Sequence, residues 1–252
     1  MSRILIVLSA ADLWTRADGS EYPTGFWAEE LMVPYRRFVD AGHTVDFATP
    51  GGVAPTLDPH SVDPSIVGDS AARALRAEVD GIADQLEDPL TLSYIDIDDY
   101  DAVFVPGGHA PMVDLFQDPD MGRILCDAVA RERIVAAVCH GPAALLSASS
   151  DDGSWLFAGR HLAVVTDDEE RAFGTAQNAP WLLASRLREF GAVVEGGPNW
   201  EAFVVQDGRL ISGQNPASAG QLADAVLAEL EAGDRGRADD SRDGPISEET
   251  QP

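Results

Sequence analysis

Short, continuous apolar runs alternate with segments of helical periodicity along most of the chain. Such runs are typical of strands buried on both faces, and these occur in parallel sheets covered by helices. The predicted strands lie at 4–8, 45–48, 102–105, 134–138, 161–166, 193–195, 203–205 and 210–212, and the predicted helices at about 26–41, 65–85, 121–131, 180–190 and 217–231. The alternation predicts a single α/β domain over residues 1–232, with a mostly parallel sheet and helices on both of its faces.

Two segments depart from this alternation. Residues 50–99 are richer in Pro, Asp and Ser and contain only one predicted helix, so we interpret them as a small insertion or cap within the domain. From Gly233 onward the chain consists of Asp, Arg, Gly, Ser and Glu with almost no apolar residue. That composition predicts a disordered acidic tail over residues 233–252.

The charge of the chain argues against several classes of function. Its 252 residues include 17 basic and 43 acidic ones, a net charge of −26, and none of the basic residues is lysine. A field of this sign repels phosphate, so we expect no nucleic-acid partner. Without lysine, the chain has no P-loop lysine and no Schiff-base or PLP anchor. Excess acid without lysine is typical of a high-salt cytoplasm; a GC-rich genome that replaces Lys by Arg is the alternative.

Hydropathy and cysteine content indicate where the protein works. No run of 18 apolar residues occurs, so we expect no transmembrane helix and no membrane partner. The apolar N-terminus leads directly into polar residues, and we interpret it as a buried strand rather than a signal peptide. Only Cys126 and Cys139 are present, which forms no disulfide framework and is consistent with a reducing, cytoplasmic location.

Cys139 lies where the strand predicted at 134–138 changes abruptly into a helical segment containing Gly141. This arrangement is that of a nucleophile elbow, with Cys in place of Ser. Amides at the start of the following helix favour a thiolate, so we predict that the pKa of Cys139 lies below about 8.5. The adjacent His140 is the candidate partner. The alternatives are a buried, inert thiol and a histidine that caps the helix.

Gly107 and Gly108 directly follow the strand predicted at 102–105, where loops of a parallel sheet line the ligand crevice. We predict that these glycines, with His109, bind the substrate, and that the amides of Gly108 and His140 form an oxyanion hole. An ordinary Gly-Gly turn is the alternative. No metal site is predicted, because His109 has no ligand-spaced Cys or His partner.

Two groups of carboxylates stand out by their placement. Glu29 and Glu30 lie in an otherwise apolar helical segment, so one of them is expected to point inward. Burial without a basic partner raises the pKa of such a carboxyl and keeps it protonated. The acidic run 167–170 follows a predicted strand, where its charges also suit a helix N-terminus. Position alone leaves open which members of these groups, Glu30 and Glu170 among them, face the thiol.

The runs Ala136–Ala143 and Val103–His109 resemble the PfpI-like superfamily, also called class I glutamine amidotransferase-like. One branch is more similar than the rest, the glutathione-independent glyoxalase III (D-lactate dehydratase) proteins, several of which double as stress chaperones. The segments that carry this similarity are Thr24–Leu31, Pro34-Tyr35, Ala41–Phe47, Thr166–Glu170, Pro180–Leu183 and Asp207–Ser218. The resemblance covers roughly residues 3–230 and implies a flavodoxin-like sheet.

The resemblance also implies roles for individual residues. Cys139 matches the nucleophile and His140 its partner. Glu170 matches the acidic residue that orients the histidine, and Glu30 matches the helix carboxyl that contacts the thiol. A homodimer is common among similar proteins.

Some positions depart from the family pattern or leave a choice open. Ala110 occupies a position where glycine is common in the family, which weakens the assignment of the substrate pocket. Glu29 and Glu169 are the residues that a one-position shift would select instead of their neighbours. An amidotransferase is less favoured, because such glutaminases carry a late histidine and no histidine follows His161 here.

We therefore predict a glyoxalase that needs no cofactor and converts a small 2-oxoaldehyde such as methylglyoxal into a 2-hydroxy acid through a hemithioacetal on Cys139. Two alternatives remain open. One is hydrolysis by a Cys-dependent amidase, peptidase or protein deglycase. The other is a chaperone or redox-sensing binding protein without catalysis, to which residues 50–99 would contribute an apolar surface.

Overall fold

The computed structural model describes the backbone of residues 1–240 and the side chains of residues 1–233. The strands are β1 Arg3–Val7, β2 Leu13–Thr15, β3 Glu21–Pro23, β4 Thr44–Thr49, β5 Leu90–Thr91, β6 Ala102–Val105, β7 Ile134–Val138, β8 His161–Ala163, β9 Val193–Glu195, β10 Val204–Asp207 and β11 Leu210–Gly213. The α-helices are α1 Ala28–Asp40, α2 Pro64–Val67, α3 Asp69–Asp80, α4 Ala83–Glu87, α5 Pro119–Ala130, α6 Asp167–Phe173, α7 Leu183–Glu189 and α8 Ala219–Asp240.

A seven-stranded sheet forms the centre of the molecule, in the order β10-β11-β7-β6-β1-β4-β5. All neighbouring strands in it are parallel except β10 and β11. The five strands from β4 to β11 follow the flavodoxin-like order, so the predicted fold class is confirmed. Every residue of β6 and β7 is buried, as their continuous apolar sequences predict.

Helices cover both faces of this sheet. The connection from β1 to β4 through α1 runs one way along the sheet, and that from β6 to β7 through α5 runs the other way. Because such crossovers are right-handed, α1 and α5 lie on opposite faces. The strand order reverses between β1 and β6, and ligands of open α/β sheets bind beyond the carboxyl ends of the strands at this point.

A two-stranded hairpin of β2 and β3 was not predicted from the sequence. Its strands have only three residues each, joined by a turn in which Gly19 has a φ of 81°. An Asp-Gly pair between two aromatic positions is a hairpin signal, and Asp18-Gly19 lies between the paired residues Trp14 and Tyr22. The hairpin matters for function because it buries Trp14 next to the site described below.

The segment 50–99 is less simple than predicted. The one helix expected at 65–85 is divided into α2, α3 and α4, and the edge strand β5 follows. Gly68, with a φ of 84°, ends α2 because no helix continues through that conformation. The segment also contributes Ile66 of α2 to the cavity described below.

The last helix is longer than the predicted 217–231. It continues to Asp240, so it overlaps the first part of the segment expected to be a tail. The rest of that predicted tail, 241–252, lies outside the described residues. Across the part of the chain that is described, no helix combines the length and hydropathy needed to cross a bilayer.

Candidate active site

Cys139 follows β7 in a left-handed backbone conformation, with a φ of 59°. Few residues other than glycine adopt this region, and such strain concentrates at functional sites. Two backbone hydrogen bonds hold it in place: its N–H donates to the carbonyl of Gly213 in β11 (2.9 Å), and its carbonyl accepts from the N–H of Val165 in the loop after β8 (3.1 Å). A Cβ on Gly141 would lie 2.2 Å from the carbonyl oxygen of Val105, so only glycine fits there. The junction thus has the strained geometry of an elbow.

The predicted low pKa of Cys139 is wrong. The thiol is buried, and this desolvation raises its pKa well above 9.0; the nearby carboxyl of Glu30 raises it further. The helix expected to stabilise a thiolate is a 3₁₀ helix over Gly141–Ser147, not an α-helix. Pro142 in its first turn has no N–H to donate. The loss of hydration therefore outweighs the effect of the helix amides.

Glu30 lies beside the thiol, projecting from α1. Its Oε2 accepts a hydrogen bond from the N–H of Gly107 (2.7 Å), and its carboxyl interacts electrostatically with the thiol of Cys139. The residue is fully buried, and desolvation raises its pKa from 4.5 to about 8. Most Glu30 side chains therefore carry a proton at pH 7 and can donate it to a sulfur or a carbonyl oxygen. Glu29 is only half-buried and lines the cavity instead.

His140 connects the thiol to Glu170. Its Nδ1 lies 3.4 Å from Sγ of Cys139, and its Nε2 lies 2.6 Å from Oε1 of Glu170. Burial acts to raise the pKa of Glu170, but His140 and His109 outweigh it and lower the pKa below 4.5. An ionised carboxylate only accepts hydrogen bonds, so Nε2 of His140 carries the proton. Its Nδ1 then presents a lone pair to the thiol, ready to accept the thiol proton.

His109 lies next to this pair and lines the cavity. Its ring stacks on Trp14 (4.6 Å between centroids) and contacts the ring of His140 (4.1 Å). Its Nε2 lies 3.4 Å from Oε2 of Glu170, to which the Thr175 hydroxyl also donates. Burial lowers the pKa of His109, which keeps the imidazole neutral.

His109, His140 and Glu170 are also the one group among the described residues whose ligand atoms could surround a metal ion, since these atoms lie within 4.8 Å of one another. The spacing of His109 in the sequence gave no sign of this proximity. The same atoms make the hydrogen bonds described above. A metal at this position would therefore compete with the interactions that orient His140.

Gly107 and Gly108 have different positions in the site. The amide of Gly107 donates to Glu30, so it is not free for a substrate. Gly108 has a φ of 85°, and a Cβ on it would lie 2.0 Å from the carbonyl oxygen of Gly25. Gly108 and His109 line the cavity, whereas Gly107 does not line it and instead hydrogen-bonds to Glu30. The oxyanion hole formed by the amides of Gly108 and His140 stays a prediction.

Glu169 points away from His140 and organises the rim of the cavity. It is fully buried and forms a capping box with Thr166 at the start of α6. Its Oε1 accepts hydrogen bonds from the N–H of Trp200 (2.8 Å), Nε2 of Gln214 (3.0 Å) and Nδ2 of Asn215 (2.8 Å). Because successive helical residues point about 100° apart, Glu169 and Glu170 face different partners.

The thiol opens into a cavity of about 390 Å³. Most of its wall is apolar, and several of the residues that form it had no role in the sequence analysis. These are Trp27, Ile66, Val67, Val165, Phe173, Trp200, Asn215, Pro216 and Ala217. They come from distant parts of the chain, and only Trp27, in Thr24–Leu31, and the residues Asn215, Pro216 and Ala217, in Asp207–Ser218, lie in segments already singled out.

Comparisons with known proteins agree with this geometry. A sequence model of the "ThiJ/PfpI family-like" group matches residues 22–154. A glutathione-independent glyoxalase of Schizosaccharomyces pombe is 29% identical over 224 residues, which is 84% of this chain and 93% of that protein. A protein/nucleic acid deglycase of Staphylococcus aureus is 26% identical over 237 residues, covering 90% of this chain and 80% of that protein.

A solved structure extends the similarity to three dimensions. The crystal structure of glyoxalase III from Candida albicans superposes with a TM-score of 0.78 at 28% identity, covering 90% of this chain and 96% of the other. The family model spans more than half of the chain and includes Glu30, the Gly107-Gly108 turn and Cys139. The chain therefore belongs to the ThiJ/PfpI family, as its resemblance to PfpI-like proteins predicted.

Proposed function

We propose that the protein is a glutathione-independent glyoxalase that converts 2-oxoaldehydes such as methylglyoxal into 2-hydroxy acids. One observation carries this proposal: the thiol of Cys139 lies between two proton carriers, the buried carboxyl of Glu30 and the His140–Glu170 pair. An isomerisation within one substrate needs proton transfers at two neighbouring carbons, and this arrangement offers groups for both. The similarity to proteins named as glyoxalases supports the same activity.

The first step is addition of the thiol to the aldehyde. Nδ1 of His140 takes the proton of Cys139 while a bond forms between sulfur and the aldehyde carbon. The carbonyl electron pair moves to oxygen, where the predicted amides of Gly108 and His140 hold it. Protonation of that oxygen gives a hemithioacetal. Glu170 keeps His140 in the tautomer this step requires.

The second stage moves hydrogen between carbons without an external oxidant. Removal of the C1 proton gives an enediol, and protonation at C2 gives a 2-hydroxy thioester, so C1 is oxidised as C2 is reduced. In this proposal Glu30 carries out these transfers, and a pKa of about 8, which allows both of its protonation states near neutral pH, supports that role. Water then cleaves the thioester, which releases the hydroxy acid and restores the thiol.

The direct test is lactate formation from methylglyoxal in the absence of glutathione. We expect Cys139→Ala to remove this activity, because no other described thiol lies in the cavity. Cys126→Ala is the matched control: this second thiol lies outside the cavity and bonds to the carbonyl of Ser149. Normal turnover by Cys139→Ala would contradict the proposal.

Hydrolysis is the second candidate function, and one observation favours it. Cys139, His140 and Glu170 stand in the order of nucleophile, base and orienting group found in acyl-transfer enzymes. The similarity to a protein named as a deglycase points the same way. Burst release from an activated ester or amide, without lactate formation from methylglyoxal, would favour hydrolysis.

A further inference from the structure

The cavity is larger than a small 2-oxoaldehyde requires. Methylglyoxal has about five non-hydrogen atoms, and at roughly 30 Å³ each, the volume of a water molecule in the liquid, it fills about 150 Å³. The cavity measures about 390 Å³. More than half of it remains for a substituent on the ketone carbon.

That remaining space is bounded by aromatic and aliphatic side chains. Trp27 contacts Phe173 edge-on, with 6.2 Å between ring centroids, and Phe173 contacts Trp200 at 6.3 Å. These three rings, which we call the aromatic row, line the cavity together with Ile66 and Val67 of α2. Rings at such angles leave faces and edges on which a further aromatic ring can pack.

The charged groups of the cavity are acidic. Glu29, Glu169 and Glu170 line it, and among the described lining residues the only basic side chains are the imidazoles of His109 and His140. No arginine of the described chain lines this cavity, and the whole molecule carries a net charge of −26. A substrate with a carboxylate or phosphate would meet repulsion without a compensating ion pair.

We infer that the substrate class is neutral 2-oxoaldehydes with an aryl or bulky apolar substituent, R–CO–CHO with R larger than methyl. The inference rests on the proposed function and leaves its chemistry unchanged: the thiol adds to the aldehyde carbon, hydrogen moves from C1 to C2, and water releases R–CHOH–COOH. The aromatic row receives the substituent while Cys139 reacts with the aldehyde.

Trp200 is the residue that sets this specificity. It has a φ of 65°, a conformation that is uncommon for a residue with a side chain, and it is 47% exposed at the rim. A buried carboxylate holds it there, because Oε1 of Glu169 accepts its backbone N–H. The main chain of Trp200 is thus held at the rim, and its indole completes the aromatic row from the solvent side.

The experiment compares the initial rates of the wild-type protein on methylglyoxal and on phenylglyoxal. The assay time is kept short, so that modification of arginine by either compound is negligible. We expect kcat/KM to be about tenfold or more higher for phenylglyoxal, the size of effect that one well-filled apolar pocket produces. Turnover of methylglyoxal with an equal or lower value for phenylglyoxal overturns the inference and leaves the proposed function standing. If neither compound is turned over, the proposed function itself fails.

Two further measurements test the parts of the inference separately. Trp200→Ala should lower the ratio of phenylglyoxal to methylglyoxal activity about fivefold or more, mainly through KM for phenylglyoxal, while Trp200→Phe keeps most of it. Tyr94→Ala, at an 86% exposed ring outside the cavity, is the control and leaves the ratio unchanged. An unchanged ratio in Trp200→Ala would show that the aromatic row does not set the preference for phenylglyoxal.

A charged substrate tests whether the acidic lining of the cavity selects against anions. 4-Carboxyphenylglyoxal keeps the ring and adds a carboxylate, and we expect its kcat/KM to be about tenfold below that of phenylglyoxal at low salt. In about 1 M NaCl, where the Debye length is only about 3 Å, the gap should narrow. Equal rates for the two aryl compounds at low salt would show that the acidic lining does not select against anions.

Discussion

Glu30 and Cys139 share one desolvated space, and the charge of the carboxyl acts directly on the thiol. In Glu30→Gln the amide oxygen can still accept the N–H of Gly107, but the charge is removed. We predict that the pKa of Cys139 falls in this variant, because the carboxylate is one of the causes that raise it. The rate of alkylation by iodoacetamide, followed against pH, measures this shift.

The same variant should lose activity although its thiol ionises more easily. We expect kcat/KM to fall by ~10²–10⁴, the usual contribution of an acid–base group. Glu29→Gln, one residue away and half-buried, is the matched control and should leave the pKa of the thiol unchanged. An unaltered alkylation profile in Glu30→Gln would show that the two groups are not coupled.

Glu30 also makes folding stability depend on pH. Its pKa is about 8 in the folded protein against an ordinary 4.5, so between these values the folded state holds a proton that the unfolded chain has lost. The resulting penalty is absent below about pH 4.5, grows by roughly 1.4 kcal/mol per pH unit and is complete above pH 8. Between pH 5 and 8 the wild type should therefore lose stability relative to Glu30→Gln.

Urea unfolding of both proteins at pH 5, 6.5 and 8 measures this difference. The pKa of Glu170 is lowered, so its stabilising effect is lost only as the pH falls below about 4.5, outside this window. The lowered pKa of His109 changes the stability below about pH 6.5. This change is the same in both proteins, so it does not contribute to the difference between them. Parallel stability curves for the two proteins would contradict a raised pKa of Glu30.

At the scale of elements, the turn after β7 depends on the small size of Gly141. A Cβ there would lie 2.2 Å from the backbone oxygen of Val105 at the end of β6, and backbone cannot move aside cheaply. We predict that Gly141→Ala lowers the free energy of unfolding by about 3 kcal/mol and reduces kcat, because the loop that carries Cys139 must shift.

Gly153→Ala serves as the control for this prediction. Gly153 has a φ of 80° but nothing within 4 Å of an added Cβ, so its substitution carries only the conformational penalty of about 1 kcal/mol. Thermal unfolding and initial rates of both variants compare the two effects. A Gly141→Ala protein as stable as Gly153→Ala would mean that the turn tolerates the extra atom.

Elements were predictable where their sequence pattern was long or uninterrupted. The buried strands β6 and β7 have the predicted bounds, because an uninterrupted run of four or five apolar residues is typical of a buried strand. The hairpin of β2 and β3 was not predicted, because strands of three residues are too short to show a recognisable hydrophobic periodicity. The helix expected at 65–85 is divided at Gly68, whose conformation ends α2, and again at Gly81 and Ile82, between α3 and α4.

At the scale of the whole molecule, excess negative charge opposes the compact state. The chain has 43 acidic and 17 basic residues, so many carboxylates have no basic partner to offset their repulsion. We predict that raising NaCl from about 0.1 to 1 M increases Tm on the order of 5 °C at pH 7.5, because screening weakens this repulsion.

The control for the salt effect is the same titration near pH 4.2, the isoelectric point expected from composition. There the net charge is close to zero, and the increase should largely disappear. A gain of equal size at both pH values would attribute the effect to general salt exclusion rather than to charge. A high-salt cytoplasm, inferred from the same composition, stays a prediction.

The amino-acid sequence by itself determined the α/β class, the central strands, the family and the position of the candidate nucleophile Cys139 in the chain, because each of these rests on residues adjacent in the chain. The resemblance pointed to Glu30 and Glu170 rather than Glu29 and Glu169, and the tertiary structure shows Glu30 beside the Gly107 turn and Glu170 hydrogen-bonded to His140. It also reversed the expected pKa of the thiol and assembled the aromatic row. The physical reason is that desolvation and side-chain proximity depend on segments far apart in the sequence. Neither can be inferred from a local sequence pattern.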